Sequence, residues 1–314
     1  MPDLTIFTAP KPFTNPHIEI IQRNAIRSWV EMGSRVEVIL IGSEEGQAEA
    51  ATDLGVQHLR EVATNEQGTP LVSSIFELAR QNSSSPMLAY VNADILLLPE
   101  FVEFALQLMA IRDKFLVVGQ RWDLDLKQPL NFTSGWEDNM REQVKKDGRL
   151  HPASGSDYFL FPRQCFVEIP PFAIGRAGWD NWMIFEARRR GWPVVDASSS
   201  LLVIHQDHDY GHLPGGQPHY RLPETAVNIR LAGGRRALFT LQDADYQMKS
   251  GKLQPVPRRG AKFWRDVETY PLISLGSPAL AELSFALFHP TRAWGEWRGR
   301  LAYKLRSLIS KRIS

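Results

Sequence analysis

Short apolar runs alternate with amphipathic segments along most of this chain. Residues 4–7 are a run of strand length ending before a loop built on Pro10, Lys11, Pro12 and Asn15. Residues 17–32 then repeat apolar side chains at Ile18, Ile21, Ala25, Ile26, Trp29 and Val30, and Gly33 stops them. That three-to-four spacing predicts a helix. Runs over 36–41 and 56–59 predict further strands, and 71–80 predicts a helix that Thr69 would cap and Pro70 would open. The most continuous run, Met87-Leu88-Ala89-Tyr90-Val91, leads into Asn92-Ala93-Asp94. A run without a polar face is what a parallel strand covered on both sides requires.

Behind Pro99, residues Phe101, Phe104, Ala105 and Leu108 mark another helix. Strands are expected over 114–120, 158–162, 194–196 and 201–204, with helices from Asp180 to Arg190 and over 224–232. Such alternation predicts an α/β fold: a mostly parallel central sheet flanked by helices, with right-handed crossovers. Residues 124–150 break the rhythm with a polar stretch and a charged helix opened by Trp136, and read as an insertion. A proline- and glycine-bearing stretch over 255–260 reads as a linker. The expected organisation is a domain over 1–250 followed by a linker and basic helical tail over 251–314.

Charge changes this picture at one end. The 314 residues sum to +1, which argues against wholesale binding of nucleic acid. From Thr291 to Ser314, however, seven Lys/Arg face one Glu, whereas the preceding residues hold 29 basic against 34 acidic. Trp294, Trp297, Leu301, Leu305, Leu308 and Ile309 share one helical face of that tail. An interfacial helix touching an anionic membrane has this pattern, and so does a helix packed on its own domain or on a partner. The single cysteine, Cys165, excludes an intramolecular disulfide and fits a reducing compartment. The N-terminus shows no signal-peptide pattern, and no apolar run reaches about 20 residues. The expectation is a cytoplasmic protein, peripheral at the inner membrane face.

Four stretches carry candidate chemistry. Asn92 and Asp94 end the central strand, where open α/β sheets bind ligands. Ala153-Ser154-Gly155-Ser156-Asp157 surrounds a carboxylate with small residues, letting a ligand approach the backbone. Gly175-Arg176-Ala177-Gly178-Trp179-Asp180-Asn181-Trp182 sets an acid at a helix start between two tryptophans, a candidate binding floor. Capping alone also explains an Asp there. His205-Gln206-Asp207-His208-Asp209-Tyr210-Gly211-His212 gathers three histidines and two aspartates after a strand. Neutral imidazoles beside carboxylates suit a cation. No Gly-x-Gly-x-x-Gly or Walker-type loop follows the first strand.

Asn-x-Asp, the Ser-Gly-Ser-Asp stretch, Gly-x-x-Gly-Trp-Asp-Asn-Trp and a late His-Gln-Asp-His occur in the order found in GT-A-fold glycosyltransferases. The chain resembles that family over roughly residues 4–240, with Asn replacing the usual first Asp of the metal motif. The resemblance implies a nucleotide-diphosphate-sugar donor, a glycan or lipid-linked acceptor and a Mn²⁺ or Mg²⁺ cofactor. It implies Asp94 and His205 as metal ligands, with His208 the second choice. Asp180 becomes the catalytic base of an inverting transfer, with Glu137 and Asp138 in reserve. Thr8, Ala9, Asn92 and Asp157 fall on the donor side. Two other classes stay open: a metal-dependent hydrolase built on His205–His212, and a glycan-binding protein without catalysis.

Overall fold

The computed structural model describes residues 1–208, 222–249, 251–299 and 302. Contacts divide the chain into two units, Met1–Val256 and Pro257–Ser314. In chain order the first unit begins β1 (Leu4–Thr8), α1 (Pro16–Val30), β2 (Val36–Ile41), α2 (Gln47–Leu54), β3 (Gln57–Leu59) and α3 (Val72–Gln81). It continues with β4 (Met87–Val91), β5 (Ile95–Leu97), α4 (Glu100–Met109), β6 (Leu116–Val118) and β7 (Trp122–Leu124). Next come α5 (Trp136–Asp147), β8 (Arg149–Leu150), β9 (Tyr158–Pro162), α6 (Trp179–Arg189), β10 (Val194–Asp196) and β11 (Val203–Gln206). The unit closes with α7 (Pro223–Leu231), β12 (Tyr246–Lys249) and β13 (Lys252–Pro255).

The expected α/β class with a mostly parallel sheet is what forms. Nine strands lie in the order β13-β12-β10-β6-β9-β4-β1-β2-β3. Every residue of β1, β4 and β9 is buried, which is why their sequences carry no polar face. β4 pairs in parallel with β1 on one side and antiparallel with β9 on the other. That reversal matters for the site. Running backwards, β9 begins where β4 ends, and Asn92 N donates to Asp157 O at 2.9 Å.

A second sheet, β5-β11-β7-β8, stands beside these strand ends. Sequence periodicity did not mark β7, and it stopped the 201–204 strand one residue before His205. Pairing decides otherwise: Ile95 and Asp123 flank His205 from the two neighbouring strands, so His205 lies inside β11. The expected Thr69 cap is also corrected. Leu71, extended at φ −91°, occupies the N-cap of α3 without a side-chain bond, while Thr69 closes a turn with Asn65. α1 is capped by Asn15, whose side chain accepts from His17 N and Ile18 N.

The second unit contains α8 (Gly260–Ile273) and α9 (Pro278–Phe288), with residues 290–299 helical beyond them. Leu272, Ala281 and Phe285 are buried, and Ser284 Oγ donates to Glu268 O at 2.9 Å. β13 pairs antiparallel with β12, so residues 252–255 belong to the large sheet. No described helix is long and apolar enough to cross a membrane.

Candidate metal and donor site

The site gathers at the carboxyl ends of the parallel strands, with the beginning of antiparallel β9 beside them. β4 ends in a turn in which Ile95 N donates to Asn92 O at 3.1 Å. The turn presents Asp94 toward the end of β11. His208 Nε2 lies 3.0 Å from Asp94 Oδ2, and the Lys11 ammonium is 3.7 Å from the same oxygen. Asp94 Oδ1 is buried with no hydrogen-bond partner among the described residues. One ligand atom from each of Asp94, His205 and His208 lies within 4.8 Å of the other two. Asp123, His205 and Asp207 form an overlapping group of the same compactness.

The two groups are not equivalent. Arg121 Nε donates to Asp123 Oδ1 at 2.9 Å, and His151 Nδ1 lies 2.8 Å from Asp123 Oδ2. Asp207 is bonded by the Arg149 guanidinium. Those carboxylates are already neutralised by cations of the chain, whereas Asp94 keeps an oxygen without a hydrogen bond. His205 Nδ1 is buried 3.2 Å from Asp123 Oδ1, without hydrogen-bond geometry.

Electrostatics separates the roles further. Burial alone would raise the Asp94 carboxyl. The His208 hydrogen bond and the charges of His205 and Lys11 outweigh it and hold Asp94 far below the usual carboxylate range. Burial pushes His205 below the ordinary histidine value, which favours the neutral imidazole that binds metals. Asp180 moves the other way, because burial raises it and the nearby Asp157 charge adds to the rise.

Asn92 Nδ2 donates to Asp157 Oδ1 at 3.0 Å, and the Arg121 guanidinium holds the other Asp157 oxygen. Asp180 sits in the first turn of α6, where its Oδ1 accepts from Gly178 N at 3.2 Å. Gly178 enters α6 at φ 113°, a backbone shape that favours glycine. Ala9 is half-buried at the start of the loop carrying Lys11, while Thr8 is fully buried between β2 and β4 and offers no side-chain surface. Glu137 and Asp138 lie in the first turn of α5. Asp209 and His212 lie outside the described residues.

The tryptophan floor is not formed. Trp179 and Trp182 are both buried, Trp179 edge-on to Tyr90 at 5.1 Å and Trp182 tilted on Phe172 at 5.3 Å. They are core beneath α6. Sequence reasoning missed Lys11, Arg121, Asp123 and His151. Arg121 and Asp123 carried a signal, being charged residues just after a buried strand, but nothing local tied Lys11 or His151 to them.

Asp123, Arg149, Asp207 and His208 line a cavity of about 630 Å³ that adjoins the metal-type cluster. A larger recess of about 790 Å³ lies over α3 and α6. Its one buried acid, Glu186, is paired with Arg189 and Arg190 at 2.7 Å each, and the recess lacks a metal-type cluster among the described residues.

No known family description matches the chain, and no curated protein does. Solved structures similar to it include glucosyl-3-phosphoglycerate synthase from Mycobacterium tuberculosis in complex with phosphoglyceric acid. That comparison has TM-score 0.47 and 15% identity, covering 74% of this chain and 81% of that one. The same enzyme with Mn²⁺, uridine diphosphate and glucosyl-3-phosphoglycerate gives 0.45 and 14%, covering 82% and 88%. With Mg²⁺ and uridine diphosphate it gives 0.44 and 14%, covering 81% and 86%.

Proposed function

We propose that this protein is a glycosyltransferase that moves a sugar from a nucleotide-diphosphate donor to a hydroxyl of a glycan or lipid-linked acceptor. The observation that carries the reading is the Asp94–His205–His208 cluster, with a buried Asp94 oxygen lacking a hydrogen bond, at the carboxyl end of the central strand. Its donor set of one carboxylate and two imidazoles fits a divalent cation, Mn²⁺ better than Mg²⁺, because magnesium prefers an all-oxygen shell. Held by Asp94, His205 and His208, such a cation would neutralise charge on the leaving diphosphate. Lys11 adds a positive charge on the same side. Asn92 and Arg121 fix Asp157 between them, which positions a carboxylate for donor hydroxyls. Asp180, with its raised affinity for a proton, takes the proton from the acceptor hydroxyl in a direct displacement with inversion. The adjoining cavity of about 630 Å³ is of a size that small-molecule sites commonly have.

Cys165 is buried, and burial pushes its thiol up to about 11, so it is an inert core residue.

Thermal melting with Mn²⁺, with nucleoside diphosphates, and with both together tests the reading. Joint stabilisation well beyond either alone is expected, followed by metal-dependent turnover of one member of a nucleotide-sugar panel. Full stabilisation by metal alone, with no response to any nucleotide, would instead assign the cluster to a hydrolase. Sugar binding without donor consumption would leave a glycan-binding protein.

A further inference from the structure

The second unit carries apolar side chains on two opposed faces of its helices. On α8, Thr269 and Leu272 are buried, while Phe263, Val267 and Tyr270, at spacing i, i+4, i+7, are 45%, 40% and 55% exposed. α9 repeats the arrangement. Ala281 and Phe285 are buried, and Leu280, Leu283 and Leu287 are 45%, 67% and 78% exposed. Trp294 follows Leu287 by seven residues, and its ring stacks on Trp297 at 5.0 Å with both exposed. One face of each of these helices is used within the hairpin, and the other is open.

We propose that this open face of residues 257–299 docks on the interface of an anionic lipid bilayer. Charge chooses lipid over a neutral protein surface. The unit from Pro257 onward holds eleven Lys/Arg against four Asp/Glu, a net of +7, of which residues 257–299 carry +2 and residues 300–314 carry +5. The first 256 residues hold 25 basic against 31 acidic, a net of −6. An anionic surface therefore attracts one unit and repels the other, so the charge distribution orients the chain as well as holding it. The side chains point the same way. Trp264, Tyr270, Trp294 and Trp297 are exposed, and Trp and Tyr are the residues that settle at the membrane–water boundary. Arg292 and Arg298 are exposed beside the tryptophan pair, as basic residues on an interfacial helix should be. The proposal stands independently of the glycosyl-transfer chemistry.

The test is co-sedimentation of the full-length protein with phosphatidylglycerol-containing vesicles and with pure phosphatidylcholine vesicles, at low and high salt. Binding should favour the anionic vesicles by about tenfold or more and weaken as salt rises. Leu283→Asp with Leu287→Asp should lower the partition by about tenfold or more, since two apolar side chains and two negative charges change sides. Trp294→Ser with Trp297→Ser should act in the same direction. All four positions are exposed, so melting temperature and any nucleotide-dependent thermal shift should stay unchanged in both variants. No vesicle binding by the wild type, equal binding to both vesicle types, or variants that bind as well as wild type would each overturn the proposal. So would a wild-type dimer that the Leu variants split, which would assign the face to a second copy of the chain.

Discussion

The two units solve the burial problem in opposite ways. Among the described residues, large apolar side chains are exposed at five positions in the first 256 and at ten positions between 257 and 299. The first unit covers its apolar strands on both faces and gathers Asp94, Asp123 and Asp157 at its strand ends, apart from the buried acids Glu186 and Asp243. In the second unit, α8 and α9 bury only one face each. The difference teaches where each unit meets the outside. The first presents polar side chains in a concave site, and the second presents apolar side chains on an open surface. A chain that left ten large apolar groups in water without use would carry an aggregation hazard.

The largest effect should come from removing the charge that the first unit holds at its strand end. Asp94→Asn keeps volume and removes the carboxylate, so metal-dependent turnover should fall about 10³-fold with the fold retained. Calorimetric titration of donor in the presence of Mn²⁺ checks it. Unchanged metal-dependent binding would take Asp94 out of the site and reduce the first unit's charge cluster to a structural network.

Next comes Asp180→Asn, which should lower turnover about 10²-fold while donor binding survives. Burial raises the Asp180 carboxyl above its ordinary 3.8, and the base must be ionised. Activity of the wild type should therefore fall as pH drops through that raised value, and the variant's residual activity should lose this limb. Stability follows the other sign. The raised group stabilises the fold while protonated, and that contribution is lost as pH rises through the folded value. At neutral pH the variant sheds a penalised buried charge, so it should melt at the same temperature or higher. Earlier melting with normal turnover would make Asp180 a helix cap only.

The smallest effects sharpen the contrast inside the second unit. Leu272→Ala, on the buried face of α8, should cost about 2–4 kcal/mol of whatever cooperative unfolding that unit shows. Leu287→Ala, at 78% exposure, should stay within about 0.5 kcal/mol. Denaturant titration followed by tryptophan fluorescence reads both, because Trp264 and Trp294 belong to this unit. Equal costs would mean that the outer face is covered after all.

Local signals carried most of the secondary structure and part of the site. The apolar runs became β1, β2, β4 and β9, and the three-to-four spacing of Ile18 to Val30 became α1, because those patterns depend on neighbours within a few residues. Asp94 was legible from the same logic, as the acid at the end of the longest apolar run. The tryptophans beside Asp180 were misread, since an aromatic residue at a helix start looks the same whether it faces a ligand or the core. Burial against Tyr90, Phe159 and Phe172 settled it.

By itself, the sequence determined the alternation of strand and helix, the place of Asn92 and Asp94, and the segregation of positive charge toward the C-terminus. Each follows from composition or from spacing along one segment. Only the tertiary structure decided that β9 runs antiparallel, so that Asp157 meets Asn92. It also set His205 between Ile95 and Asp123 and left His208 as the histidine hydrogen-bonded to Asp94. Lys11 and His151 joined the cluster from far along the chain. These are pairings between residues dozens to nearly two hundred positions apart, and their register is fixed by which apolar faces close on one another, a property that no single segment contains.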